Sequence, residues 1–105
     1  MTDFQIHLIE TPEEMRLVEQ LQRDVWPGSE TDVVPLHMLI TAVHNGGLVL
    51  GAFIDEKIIG FVFGFPGFEN TPDGPLPKHC SHMMGIHPDY RDAGVGFALK
   101  RAQWQ

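Results

Sequence analysis

Met84-Gly85-Ile86-His87-Pro88-Asp89-Tyr90-Arg91-Asp92-Ala93-Gly94-Val95-Gly96 is the stretch on which the reading of this chain turns. An apolar strand ends at Ile86, a proline redirects the chain, and a glycine-rich turn opens a helix with the apolar face Val95, Ala98, Leu99 and Ala102. The first N–H groups of a helix have no partner within it, and the helix dipole adds partial positive charge at the same end. Glycine there lets a phosphate approach a backbone from which a Cβ would hold it away. The stretch is therefore predicted to be an anion site made from main chain.

Spacing excludes two common phosphate motifs. A P-loop needs four residues between its glycines and then Gly-Lys-Ser/Thr, which does not occur. The dinucleotide pattern would require glycine or alanine where Leu99 stands, and the interval from Ile86 to Gly94 is too long for its tight first turn. The bland alternative is a plain strand–turn–helix with a glycine-rich turn, in which lead-in, loop and helix face coincide by chance.

Upstream, Phe4-Gln5-Ile6-His7-Leu8 alternates apolar and polar residues and reads as a strand. Thr11-Pro12-Glu13-Glu14 opens a helix, with Thr11 as N-cap, Pro12 in the first turn and Glu14 placed for a capping box. Met15, Val18, Leu21, Gln22 and Val25 form its inward stripe, and Trp26-Pro27-Gly28-Ser29 ends it. A second helix is predicted from near Pro35 through Leu36, Leu39, Ile40 and Val43 to the stop at Asn45-Gly46-Gly47. Strands follow at 48–54 and 58–65, joined at Asp55-Glu56-Lys57, and another at 79–86. Residues 66–78 contain four prolines and are predicted to be a loop without regular structure. It reads equally as a functional loop and as a disordered hairpin tip. The order is β-α-α-β-β-β-α, an α/β (α+β) fold in one domain over residues 1–105. Its central strands are expected to be antiparallel in sequence order.

The 105 residues fit a single small domain, and 43% hydrophobic content suits a globular chain. A formal charge of −7 argues against a nucleic-acid or anionic-membrane partner, since both call for a basic face. The acidic excess lies in residues 1–90; the last fifteen carry Arg91, Lys100 and Arg101 against Asp92. That contrast suits either a local anion site or simple complementation of a helix C-terminus. Cys80 is the only cysteine, so no internal disulfide forms. The N-terminus lacks the pattern of a signal peptide, and the apolar run 58–68 is too short and interrupted to span a bilayer. The predicted compartment is the cytoplasm.

Arg91-Asp92-Ala93-Gly94-Val95-Gly96, with the lead-in Ile86-His87-Pro88-Asp89-Tyr90, resembles the pyrophosphate loop of the GNAT acetyltransferases, whose pattern is Q/R-x-x-G-x-G/A. The element order matches the first part of that fold. The resemblance implies acetyl-CoA as cosubstrate. It implies that main-chain groups of Arg91, Asp92, Ala93, Gly94, Val95 and Gly96 take the pyrophosphate, and that Met84, Gly85 and Ile86 offer main-chain groups to the pantetheine arm. It also implies a fold that continues past this helix, with a further strand and a helix that often bears a catalytic tyrosine. Tyr90, the only tyrosine, lies in the loop motif, and no Glu occurs in residues 79–90. No catalytic residue is assigned; His82 and His87 are the weak candidates for a base. The strand 81–86 is expected to be left as an apolar edge, completed by a missing C-terminal segment or by a second copy.

His79-Cys80-Ser81-His82 invites a metal reading, but adjacent strand residues face opposite sides, and no metal is assigned. Cys80 reads as a buried structural thiol, and Met83-Met84 as sheet packing. Trp26 and Phe68 suit either an acceptor pocket or ordinary anchoring. Two functions remain open. One is an N-acetyltransferase acting on a small-molecule or peptide amine; the other is a non-catalytic CoA-binding module that pairs through its open edge.

Overall fold

Phe61 and Val62 point to opposite faces of one sheet, and each belongs to a separate core. The computed structural model describes residues 4–28, 32–91 and 94–104. The elements are β1 (Gln5–Leu8), α1 (Pro12–Val25), α2 (Leu36–His44), β2 (Leu48–Ile54), β3 (Lys57–Thr71), β4 (Gly74–Ile86) and α3 (Val95–Gln103). The strands lie in the order β1-β2-β3-β4, every neighbouring pair antiparallel, as the sequence predicts for the central three. Helices α1 and α2 cover the Phe61 face with Met15, Val18, Leu21, Val25 and Leu39. Helix α3 covers the Val62 face with Val95 and Leu99.

Local chemistry explains the helix boundaries. The Glu14 N–H donates to Thr11 Oγ1 at 3.2 Å, the predicted cap of α1. Pro35 offers no side-chain cap to α2. Glu19 supplies one from α1: its Oε2 accepts the Leu36 N–H at 2.6 Å. Gln22, buried within the apolar stripe, grips the incoming chain from both sides. Its Nε2 donates to Val34 O at 3.0 Å, and its Oε1 accepts the Val34 N–H at 2.7 Å. The α1–α2 connection is thus held by two side chains of α1 acting on main chain.

Two bulges break the strand alternation. Ile59 is the extra residue in β3, and His82 the extra residue in β4. His82 and Met83 both turn to the α1/α2 face, while Ser81 and His79 share the α3 face with Met84 and Ile86.

The structure corrects two predictions, one for residues 66–78 and one for Cys80. Residues 66–78 are not irregular; β3 and β4 continue as a paired arm from Gly67↔Lys78 to Thr71↔Gly74, around a turn at Pro72-Asp73. Proline is excluded only where its missing N–H would have bonded a neighbour. Strand β2 stops opposite Gly64, so Pro66 lies in a two-stranded ribbon with a vacant side. Pro75 and Pro77 lie two apart on the edge strand β4, so their nitrogens share one side. Cys80, predicted to be buried, pairs with Phe65 at the base of this arm and is only partly covered.

Replacing Gln22 by Leu keeps the volume but leaves both main-chain groups of Val34 unpaired. We expect a loss of about 1–3 kcal/mol, seen as a lower urea midpoint at unchanged m-value. Phe61→Ala, which empties the centre of the larger core, should cost more, about 3–5 kcal/mol.

Candidate cofactor-binding site

The last rung of β4 is the His87 N–H donated to Ile59 O at 2.8 Å. Beyond it, Pro88–Tyr90 forms a single 3-10 turn, in which His87 Nδ1 accepts the Asp89 N–H at 3.2 Å. The His87 ring meets the Tyr90 ring at 5.8 Å, and Lys57 Nζ lies 5.4 Å from the Tyr90 centroid. The turn between β2 and β3 therefore buttresses the lead-in. Arg91 follows, exposed and in helical geometry. Asp92 and Ala93 lie outside the described residues. Gly94 then opens α3 with φ 78 and ψ 11, in the left-handed region. Within α3 the Ala98 N–H donates back to Gly94 O at 3.2 Å, so the N–H groups of Val95, Gly96 and Phe97 precede the helical ladder. Val95 and Gly96 belong to the predicted set Arg91–Gly96, Phe97 does not, and Asp92 and Ala93 of that set lie outside the described residues.

The two motif glycines do different work. A Cβ on Gly94 would meet nothing within 4 Å, so its constraint is the positive φ. A Cβ on Gly96 would point back at the sheet, 3.4 Å from Met84 Cε and 4.0 Å from Ile86 Cγ1. Gly96 thus sets how closely α3 lies on β4, a role that its place in a phosphate motif does not reveal.

Strand β4 is an edge of the sheet. Because the His87 N–H points at β3, alternation sends the main-chain groups of Gly85 to β3 as well, opposite Phe61. The N–H and C=O of Met84 and Ile86 point the other way, to the vacant side. Of the three residues predicted to offer main chain, two present it. Gly85 instead makes room: a Cβ there would lie 2.7 Å from the Phe61 ring and 3.2 Å from Trp26.

On the α1/α2 face, next to the bulge, lie two cavities. One, of about 280 Å³, is lined by Gln22, Trp26, Asp32, Val33 and Met83. The other, of about 420 Å³, lies between α2 and the strands, with His82, Phe63, Phe65 and Met38 in its wall. Trp26 is thus both a cavity wall and an anchor, edge-on to Phe61 at 6.3 Å. Phe68, on the arm and 69% exposed, lines neither.

On the α3 face, Lys100 Nζ donates to Ser81 Oγ at 2.6 Å and to Gln103 Oε1 at 3.3 Å, while Gln103 Nε2 meets His79 Nε2 at 2.8 Å. Lys100 therefore ties α3 to β4, a bond across 19 residues that helix-end complementation does not anticipate. His79 and Cys80 face opposite sides, as alternation predicts, and among the described residues no three metal-ligating side chains gather.

The profile of the acetyltransferase (GNAT) family matches residues 11–102. The chain belongs to that family. An acetyltransferase from Vibrio fischeri superposes with a TM-score of 0.77 at 16% identity, over 96% of this chain and 84% of that one. An aminoglycoside acetyltransferase from an uncultured soil metagenomic sample, solved with sisomicin, gives 0.76 at 14% identity; 95% of this chain covers 66% of it. The PaiA N-acetyltransferase of Thermoplasma acidophilum, solved with coenzyme A, gives 0.72 at 17%, over 97% and 70%. At these identities the likeness carries the fold. No curated protein sequence matches this GNAT chain.

The packing role of Gly96 is testable. Gly96→Ala fits at van der Waals distance and adds helix propensity, so thermal stability should hold or rise by up to about 1 kcal/mol. Gly96→Val should press on Met84 and cost about 1–3 kcal/mol.

Proposed function

We propose that this GNAT chain binds acetyl-CoA along the open edge of β4 and the start of α3, and transfers the acetyl group to an amine. The observation that carries the reading is a continuity. The outward main chain of Met84 and Ile86 leads directly to a helix start whose N–H groups precede the ladder, with left-handed Gly94 at the corner. The pyrophosphate is taken by main-chain N–H groups of the loop Arg91, Asp92, Ala93, Gly94, Val95 and Gly96. The pantetheine arm lies along Met84, Gly85 and Ile86 as an added strand, bonding the first and last and passing over the second. Backbone dipoles suit an acidic chain, because they attract phosphate without basic side chains.

In this reading the neutral amine nitrogen attacks the thioester carbonyl carbon. A C–N bond forms, the carbonyl oxygen takes negative charge beside an outward N–H of β4, and the C–S bond then breaks to release the CoA thiolate. The reaction takes place in the cytoplasm, the compartment predicted from the sequence; no helix among the described residues is long and apolar enough to cross a membrane.

A second reading is favoured by one observation. Between Ser81 and His87 the β4 edge carries neither lysine nor proline, the residues that usually blunt such edges. A CoA-binding module that pairs through this edge would bind CoA without turnover and dimerise as concentration rises. Thiol release from acetyl-CoA with a broad amine panel, alongside sedimentation over a wide concentration range, separates the two.

Calorimetry with CoA tests the site itself. Gly94→Asn, which tolerates a positive φ, should keep affinity within about tenfold of the parent. Gly94→Val should lose considerably more, since strain of about 1–2 kcal/mol is added to the steric block. Equal affinity for parent and Gly94→Val in a folded protein would refute the placement.

A further inference from the structure

We infer that Lys100 supplies the positive charge against which the CoA thiolate departs, from a seat on the α3 face of β4 just beyond the residues that hold the pantetheine arm. This rests on the acetyl-transfer reading above and adds to it a catalytic residue that lies outside the glycine-rich loop.

Position is the first argument. In that reading the phosphate end of CoA lies at the start of α3, and its arm runs along β4 from Ile86 through Met84, toward the N-terminal end of the strand. A strand rises about 3.3 Å per residue, so Ser81 stands about 16 Å from Ile86, near the reach of an extended pantetheine arm. The sulfur end is therefore delivered to the level of Ser81. Lys100 Nζ donates to Ser81 Oγ at 2.6 Å. From Val95 to Lys100 the helix advances about 8 Å, and the flexible lysine stem carries the ammonium the rest of the way. The helix that offers N–H groups to the phosphate thus places a full positive charge at the other end of the same arm.

Charge is the second argument. The chain carries 14 acidic residues, yet the two groups that hold Lys100 are neutral: Ser81 Oγ, and Gln103 Oε1 at 3.3 Å. Gln103 is itself buried, and its Nε2 meets His79 Nε2 at 2.8 Å, which leaves its oxygen for the ammonium. His79, reached through Gln103, is the other titratable side chain of the cluster. Among the described residues no carboxylate pairs with Lys100. An ammonium has three N–H donors, and two neutral acceptors fix its place without cancelling its charge. A charge fixed in advance stabilises an anion that forms beside it without reorganisation at the moment of reaction. When the C–S bond breaks, its electron pair stays on sulfur, next to Lys100. The acylated nitrogen gives its proton to water, and the thiolate takes one from water after release. Amide and CoA thiol are the net products, and Lys100 keeps its own proton throughout.

The test needs no acceptor. The full chain is mixed with CoA or with desulfo-CoA, which lacks the thiol. Calorimetry gives the affinities, and ultraviolet thiolate absorbance follows the titration of the bound thiol. In the parent we expect that thiol to titrate about one unit or more below the thiol of free CoA. Lys100→Met should return it to the value of free CoA, while Lys100→Arg, which keeps the charge, should retain most of the shift. Lys100→Met should still bind desulfo-CoA within about threefold of the parent, because the charge acts on sulfur and not on the rest of the molecule. A parent whose bound thiol titrates like free CoA overturns the proposal. So does a Lys100→Met protein that keeps the shift, and so does one that loses CoA and desulfo-CoA alike, since Lys100 is then a brace for α3 and nothing more. Failure of the parent to bind CoA would instead remove the reading beneath.

Discussion

The docking of α3 on Gly60 is the constraint on which the rest of the site depends. A Cβ at Gly60 would stand 2.9 Å from Val95 Cγ1, 3.0 Å from Ile86 Cδ1 and 3.2 Å from Leu99 Cδ1. Those three side chains occupy the space that a larger residue would fill, and they join the last residue of β4 to the first turn of α3 across β3. The position of the helix start relative to the strand edge follows from this contact. Gly96 then lets the helix settle against Met84, and Lys100 and Gln103 fasten its far end to Ser81 and His79. A helix held at both ends keeps its first N–H groups in one place.

The opposite face solves a different problem. There α1 and α2 must cover a sheet and still leave space beside it. Gln22 and Glu19 achieve this by bonding to main chain in the connection and at the start of α2, which fixes α2 by its N-terminal end. Its C-terminal half then leans over the strands at Gly47, where a Cβ would lie 2.7 Å from Ala42 O and 2.9 Å from Gly64 O. The gap between these two fixed ends is the larger cavity. Its walls are therefore set in part by hydrogen bonds and glycine contacts at its two ends, through Val34 and Ala42.

What the sequence reveals and what it hides divide along one line. Features determined within a few residues are legible: the Thr11 cap, the stripe of α1, the stop at Asn45-Gly46-Gly47, the turn near Asp55 and the glycine-rich corner at Gly94. Features that depend on what lies across the sheet are not. The arm at 67–78 was hidden because a proline forbids a strand only when a neighbour needs its N–H, and that neighbour is absent past Gly64. Gly96 carries a phosphate motif in sequence but meets Met84 in space. Gln22 stands out as the one polar member of an apolar stripe, yet its partner Val34 is twelve residues away, just before α2.

The His82 bulge is the sharpest case of this division. In a regular strand, His82 would share a face with Met84 and Ile86 and point at α3. The inserted residue reverses that assignment for everything N-terminal to Met83. One displaced rung thus separates His79 and Ser81, which brace α3, from His82, which opens onto the cavity. Nothing in His79-Cys80-Ser81-His82 marks where the slip falls, because it is settled by register against Phe63 and Gly64 on the partner strand. The same slip lets a single strand offer main chain along its edge at Met84 and Ile86 and a side chain on its α1/α2 face at His82. A uniform strand would have turned that imidazole to the side filled by α3.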